Sequence, residues 1–343
     1  MPLKEATVAV LGATGAVGEQ ILRNLEKRSF PVKELRPLAS ARSAGKTVRF
    51  KGEAVTVQEA KPEAFEGVDI ALFSAGGGIS EKFAPEAVKR GAVVIDNTNA
   101  FRMNPDVPLI VPEVNGDQIK NHQGIIANPN CSTIQMVVAL KPLYDRYGFD
   151  RVIVSTYQAV SGSGAQAMEE LSEQTRASLE NREVKKEIMP VGKLDKHYQI
   201  AFNTLPQCDV AQDNGFTLEE MKMVRETKKI FGNEQIGVTA TCVRVPVQRG
   251  HSESVYVELE KEFDLEEVRQ ALRDADGVIL EDDIQNQVYP TPLDSVGRDE
   301  VFVGRVRKDI AHPRGLNLWV VADNLLKGAA TNAVQIAERL VQA

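Results

Sequence analysis

Along the first 130 positions, short β-branched runs alternate with stretches of helical period, the pattern of a parallel sheet crossed by helices. Thr7 to Leu11 reads as the opening strand, after which Val17, Ile21, Leu22 and Leu25 fall on one helical face. Further strands are predicted at Leu35 to Ala39, Asp69 to Ser74, Ala92 to Asp96 and Ile125 to Ala127, with a helix between Ile79 and Arg90. From about Arg151 the pattern changes. Arg151 to Gln158, Gln235 to Val247, Ser254 to Glu260 and Leu316 to Ala322 are strand-like, separated by longer insertions and helices. The charged stretch from Glu169 to Lys196 has helical character until Pro190 and Gly192 break it, and reads as a solvated helix and loop. Asn324 to Leu340 is helical by period and is expected to pack back on the first domain.

Length and composition narrow the class. A chain of 343 residues exceeds the ~250–300 at which one core stops growing, so two domains are expected. With 43% hydrophobic and 26% charged residues, disordered and disulfide-scaffold classes are set aside. The net charge is −7 and no long run of Lys and Arg occurs, which argues against nucleic acid as a partner. No apolar stretch reaches the ~20 residues of a membrane helix. Met1 to Val10 lacks a basic n-region and a cleavage site, so a cytoplasmic protein is expected. Cys131, Cys208 and Cys242 match no disulfide framework or zinc spacing, and no metal is expected.

The chemistry-bearing motifs lie at strand ends. Gly12-Ala13-Thr14-Gly15-Ala16-Val17-Gly18 joins a strand to a helix, where glycines let the backbone approach a pyrophosphate at the helix N-terminus. The spacing departs by one position from G-x-G-x-x-G, so a plain tight turn is the alternative. The second strand ends in Ser40-Ala41-Arg42-Ser43 without the acidic residue that favours NAD. Arg42 with Ser40 and Ser43 suits the 2′-phosphate of NADP, unless Arg42 is simply a surface charge. Ser74-Ala75-Gly76-Gly77-Gly78 forms a second turn that could pass the cofactor's backbone closely, with a flexible connection as the alternative. Cys131 follows a strand and precedes the apolar helical run Ile134 to Leu140, so its thiol falls at a helix N-terminus, where thiolate is favoured. A thiolate that attacks an aldehyde needs a base for the resulting hydroxyl, and His251 is the best placed of the four histidines, the others being His122, His197 and His312.

Four stretches, the Gly12 to Gly18 loop, Asn99-Ala100-Phe101-Arg102-Met103, Val111-Pro112-Glu113-Val114-Asn115 and Asn128-Pro129-Asn130-Cys131-Ser132-Thr133, resemble the aspartate-β-semialdehyde dehydrogenase family. Tyr157 to Gly162, Phe202-Asn203 with Pro206, and Glu219-Glu220-Met221-Lys222 followed by Arg244 and His251 continue the resemblance. It implies an α/β fold: a Rossmann-like NADP-binding domain over 1–130, completed by the closing helix 324–343, and a mixed α+β catalytic and dimerisation domain over 131–323. It further implies Cys131 as nucleophile, His251 as acid/base and Gln158 as an orienting amide. Arg244 would grip the substrate α-carboxylate, Glu219 its ammonium, and Arg102 and Lys222 the attacking phosphate. Gly12, Ala13, Thr14, Gly15, Ala16, Val17, Ser40, Arg42, Ser43, Ser74, Ala75, Gly76, Gly162 and Asn324 would contact NADP. The implied reaction converts L-aspartyl-4-phosphate to L-aspartate-4-semialdehyde in a homodimer or dimer-based assembly. Three rivals are N-acetyl-γ-glutamyl-phosphate reductase, whose acylated substrate has no ammonium for Glu219, the more distant phosphorylating glyceraldehyde-3-phosphate dehydrogenase, whose cysteine context differs from Asn130-Cys131-Ser132-Thr133, and a non-catalytic NADP-binding regulator on the same fold.

Overall fold

In a computed structural model that describes residues 5–342, contacts divide the chain into two compact units. One comprises the residues up to Asn130 and those from Gly328 onward; the other runs from Cys131 to Lys327.

The first unit begins with β1 (Ala6–Leu11), α1 (Ala16–Lys27) and β2 (Val32–Ala39), then a small hairpin of β3 (Thr47–Phe50) and β4 (Glu53–Thr56). β5 (Gln58–Glu59), β6 (Ile70–Phe73), α2 (Gly77–Lys89), β7 (Val93–Asp96), the short α3 (Pro112–Asn115) and β8 (Ile125–Ala127) follow. Six strands form one parallel sheet in the order β5-β2-β1-β6-β7-β8. β1 is buried at every position, as a strand covered on both faces must be. Side-chain alternation sorts its residues between two cores. Val8 and Val10 join Ile21 and Leu25 of α1 and Val334 and Ile336 near the C-terminus. Ala9 and Leu11 join Phe65 and the α2 residues Phe83 and Ala84 on the other face. The chain leaves β1 for β2 on one side and meets β6 on the other, so the C-terminal ends of β1 and β6 form the switch point at which such sheets bind ligands.

The second unit begins with α4 (Cys131–Tyr147), β9 (Phe149–Gln158), α5 (Ala165–Leu179) and α6 (Leu218–Phe231). β10 (Gly237–Arg244), β11 (His251–Leu259), α7 (Leu265–Arg273), β12 (Val278–Leu280), the short α8 (Pro292–Ser295), β13 (Val301–Lys308) and β14 (Gly315–Ala322) complete it. Its mixed sheet has the order β10-β9-β11-β14-β13-β12. Helices α4, α6 and α7 pack on this sheet. Val152, Val154, Thr156 and Gln158 of β9 are buried, whereas the intervening Ile153 and Tyr157 are exposed. The Tyr157 ring lies tilted against that of Trp319 of β14, with centroids 5.5 Å apart.

Three of the expected elements come out with different bounds. Helix α5 ends at Leu179, well before Pro190, and its polar face explains why. Gln174 donates to the Lys185 carbonyl and accepts the Ile200 and Ala201 amides, while Glu170 accepts those of Glu187, Ile188 and Met189. These side chains satisfy an irregular backbone laid along the helix, so no continued helix is needed. β11 starts at His251 and not at Ser254, which puts the histidine on the sheet itself. The closing helix α9 (Thr331–Gln342) begins after a wide turn at Leu326–Ala330, leaving Asn324 outside it.

Candidate active site

Glycine shapes the end of β1. Gly12 has φ +90, and a Cβ on Gly18 would stand 2.1 Å from the Gly12 carbonyl oxygen, so α1 sits closer to the strand than any side chain permits. Gly15 caps α1 and Gly76 caps α2, neither offering a side chain to the first-turn amides. Two helix N-termini therefore present N–H groups at the ends of β1 and β6, a setting that suits anionic phosphates. After β2, Ser40 and Arg42 are exposed and Ser43 is half-buried. A dinucleotide fits this cradle. Arg102, in the same unit, is buried and donates from Nε to the Asn128 carbonyl and from Nη2 to that of Asn97, at 2.9 Å each.

In the second unit, sheet order brings distant residues together. β9 and β10 run parallel with Gln158 level with Arg244. β11 runs antiparallel beside β9 with Glu253 opposite Thr156, and continuing that register brings His251 level with Gln158. Gln158 Nε2 donates to Glu219 Oε1 on α6 at 3.1 Å and lies 3.4 Å from His251 Nε2. Thr156 Oγ1 donates to Gln158 Oε1 at 3.2 Å, which fixes the amide with its nitrogen toward Glu219. Glu219 Oε2 accepts from Lys222 Nζ at 3.0 Å, and Asp209 Oδ2 holds the same ammonium at 2.7 Å. Burial disfavours the Lys222 charge, but the two carboxylates outweigh it and raise its basicity.

Ala159, just beyond β9, anchors two of these side chains through its backbone. Its N–H donates to His251 Nδ1 at 3.0 Å, and its carbonyl accepts from Arg244 Nη1 at 2.8 Å. His251 therefore faces the site through Nε2. Burial, assisted by the Arg244 guanidinium, pushes its pKa down to about 3, so the ring is neutral. A Cβ on Gly162 would stand 3.0 Å from Arg244 Nη1 and 3.4 Å from His251 Nε2, so a side chain there would press on both by a few tenths of an ångström. Arg244 Nε is buried with no hydrogen-bond partner among the described residues.

Cys131 is the first residue of α4 and is half-buried. Cys208 and Cys242 are fully buried; burial pushes the Cys208 thiol up to about 12 and raises that of Cys242 as well, so neither forms thiolate at neutral pH. The rings of His122 and His312 serve local turns, accepting the Gly124 and Arg314 amides. Asn324 Oδ1 accepts from Ser161 Oγ and from the Gly250 amide, which fixes the turn that leads into His251. Thr156 and Asp209 carry no motif, and Ala159 lies within the Tyr157–Gly162 stretch without a role assigned to it; the parts of all three emerge only from the folded geometry. No group of three or more His, Cys, Asp or Glu side chains arranged to hold a metal occurs among the described residues.

The semialdehyde dehydrogenase NAD-binding domain matches residues 7–122, and the semialdehyde dehydrogenase dimerisation domain matches residues 140–327. The aspartate-semialdehyde dehydrogenase of Bacillus subtilis (strain 168) is 60% identical over 334 residues, covering 97% of this chain and 96% of that protein. The chain belongs to the aspartate-semialdehyde dehydrogenase family. It is an oxidoreductase, with a nicotinamide dinucleotide-binding domain and a dimerisation domain. Among solved structures, aspartate semialdehyde dehydrogenase II from Vibrio cholerae, complexed with ASA, has a TM-score of 0.95 at 52% identity, with 99% of each chain covered. The Candida albicans family member, solved with NADP, has a TM-score of 0.74 at 27% identity over 98% of each chain.

Proposed function

We propose that this family member reduces L-aspartyl-4-phosphate to L-aspartate-4-semialdehyde, reversibly and with release of phosphate, in cytoplasmic lysine, threonine and methionine biosynthesis. The open Nε edge of buried Arg244 carries the reading, because a buried guanidinium edge without a partner is costly until an anion completes it. The substrate α-carboxylate supplies that anion, and Glu219, on the same network, receives the α-ammonium. An N-acylated substrate offers Glu219 no cation, which disfavours the reductase alternative.

Cys131, as thiolate at the start of α4, attacks the acyl carbon; the C–S bond forms, the C–O bond to phosphate breaks, and phosphate leaves. Arg102 and Lys222 provide cations for that phosphate, and Gln158 orients the acyl group. The nicotinamide cofactor, when bound, supplies the hydride that reduces the thioester. The C–S bond then breaks and the thiolate is regenerated. Proton exchange at the substrate oxygen passes through His251 Nε2, since Nδ1 is engaged by the Ala159 amide. A carboxylate on Arg244 offsets the charge that helps depress His251, so substrate binding raises the basicity of the ring.

NADP is the cofactor of this reading: the exposed Arg42 beside Ser40 and Ser43 suits a 2′-phosphate. The partner is a second copy of the chain, docked on the sheet face that exposes Ile153 and Tyr157. The test is phosphate-dependent NADPH formation with aspartate semialdehyde, run beside N-acetylglutamate semialdehyde. Turnover of the first alone is expected, with Arg42→Ala weakening NADP more than NAD; preference for the acylated compound overturns the reading.

A further inference from the structure

Glu253 is fully buried on β11, two residues from His251 and on the same face of the strand. Its carboxyl faces the side-chain amide of Gln135, yet neither carboxyl oxygen completes a hydrogen bond, and Gln135 Oε1 is likewise buried without one. Gln135 stands four residues after Cys131 on α4, hence one turn along the same helical face. Its Nε2 donates to the backbone carbonyl of His251 at 3.4 Å. One amide group thus connects the helix that opens at Cys131 with the residue that opens β11.

Three buried acceptor oxygens, two on Glu253 and one on Gln135, lack a hydrogen-bond partner among the described residues, while one N–H of the Gln135 amide is directed at the His251 carbonyl and the amide faces the Glu253 carboxyl. A negative charge there would have no counterion, and burial raises the Glu253 pKa well above the usual carboxylate value. A carboxylic acid that keeps its proton supplies the missing donor. We propose that Glu253 is a positioning residue, which holds the Gln135 amide as an uncharged clamp and so sets the distance between Cys131 and His251. The clamp rests on the reading of those two residues as nucleophile and acid/base. Neither Glu253 nor Gln135 touches substrate. Their effect reaches the reaction through the placement of α4 against β11, where a displacement of about 1 Å is enough to slow chemistry a hundredfold.

The experiment measures kcat and KM for aspartate semialdehyde and NADP in Glu253→Gln, Glu253→Leu, Gln135→Met and Cys131→Ala, with melting temperatures alongside. Glu253→Gln keeps a neutral side chain with a donor and is expected within about threefold of wild type. Glu253→Leu keeps the volume but removes the donor, and is expected to lower kcat by about 10- to 100-fold with both KM values unchanged. Gln135→Met reports the same loss from the helix side, including the case in which Glu253→Leu does not fold. A purely structural role would move the melting temperature and leave kcat in place. Wild-type kcat in Glu253→Leu or in Gln135→Met, with Cys131→Ala inactive, overturns the clamp alone. An active Cys131→Ala overturns the site reading and the clamp with it.

Discussion

Arg244 donates through Nη1 to the Ala159 carbonyl, and this anchor leaves its Nε edge open toward a ligand. A lysine at this position would keep the charge and lose both the anchor and the planar pair of donors. Arg244→Lys is therefore expected to lower kcat/KM for aspartate semialdehyde by about 10- to 100-fold, the equivalent of roughly 1.5–3 kcal/mol in charge-assisted hydrogen bonding. Glu219→Gln is expected to raise KM for the same substrate. With an N-acylated homologue, which brings no ammonium, the Glu219→Gln change in kcat/KM should be much smaller. Steady-state kinetics with both compounds and both variants checks this; equal losses on the two substrates would remove Glu219 from ammonium recognition. Neither variant is expected to change KM for NADP, because both residues belong to the second unit while the glycine cradle belongs to the first.

At the scale of elements, Gly18 sets how closely α1 approaches β1. Gly18→Ala would place a methyl 2.1 Å from the Gly12 carbonyl oxygen, so helix and strand must separate. A loss of about 1–3 kcal/mol in stability is expected, together with weaker NADP binding. Gly78→Ala, whose Cβ would enter open space near the start of α2, is the control and is expected to be neutral or stabilising by up to about 1 kcal/mol. Thermal melts and NADP titration of both variants provide the measurement. The contrast also shows what kinds of information the sequence carries. α1 and β9 are legible because burial follows their periods, and β1 and β6 because they are short, largely apolar runs buried throughout. Hairpin β3–β4 is not, since each strand has only four residues, too few for the alternation of Thr47-Val48-Arg49-Phe50 to stand out, and its turn puts the non-glycine Lys51 at positive φ beside Gly52. β13 escapes as well: its register shifts between Gly304 and Arg307, with Arg305 at positive φ. Cys131 is marked by its local context, an apolar helical run directly after it. The approach of Gln158, Arg244 and His251 depends on the strand order β10-β9-β11, which no local pattern encodes. The family motifs name these three residues, but the parts of Ala159 and Asp209 come from backbone geometry and a distant ion pair.

At the scale of the molecule, one face of the second unit's sheet leaves Ile153 and Tyr157 exposed although both are large and apolar. Ile153→Asp is expected to shift a dimer toward monomer in sedimentation analysis, whereas unchanged mass would exclude this face. The same sheet carries two buried ionisable groups whose effects on global stability oppose each other. His251, faced by Arg244, Glu219 and Gln158, is held to about 3 in the fold against 6.5 for the free side chain. As pH falls from 6.5 toward 3, the unfolded chain takes up a proton that the fold refuses, and stability falls. Glu253, faced by Gln135, is raised well above 4.5, so as pH rises past 4.5 the unfolded chain releases a proton that the fold retains, and stability falls in that direction too. Between 4.5 and 6.5 the two slopes offset each other. Above 6.5 the His251 contribution is complete and only the Glu253 loss continues. Each tenfold change in proton affinity corresponds to about 1.4 kcal/mol, large enough to read as a shift of several degrees in melting temperature. Glu253→Gln cannot ionise, so its melting temperature is expected to rise above that of wild type as pH increases from 4 to 8. At pH 4 the wild-type carboxyl is mostly protonated in both states, which makes that value the baseline. A gap between the two proteins that stays constant from pH 4 to pH 8 would mean that the fold does not retain the Glu253 proton, because only a proton held in the fold and released on unfolding makes the gap grow with pH.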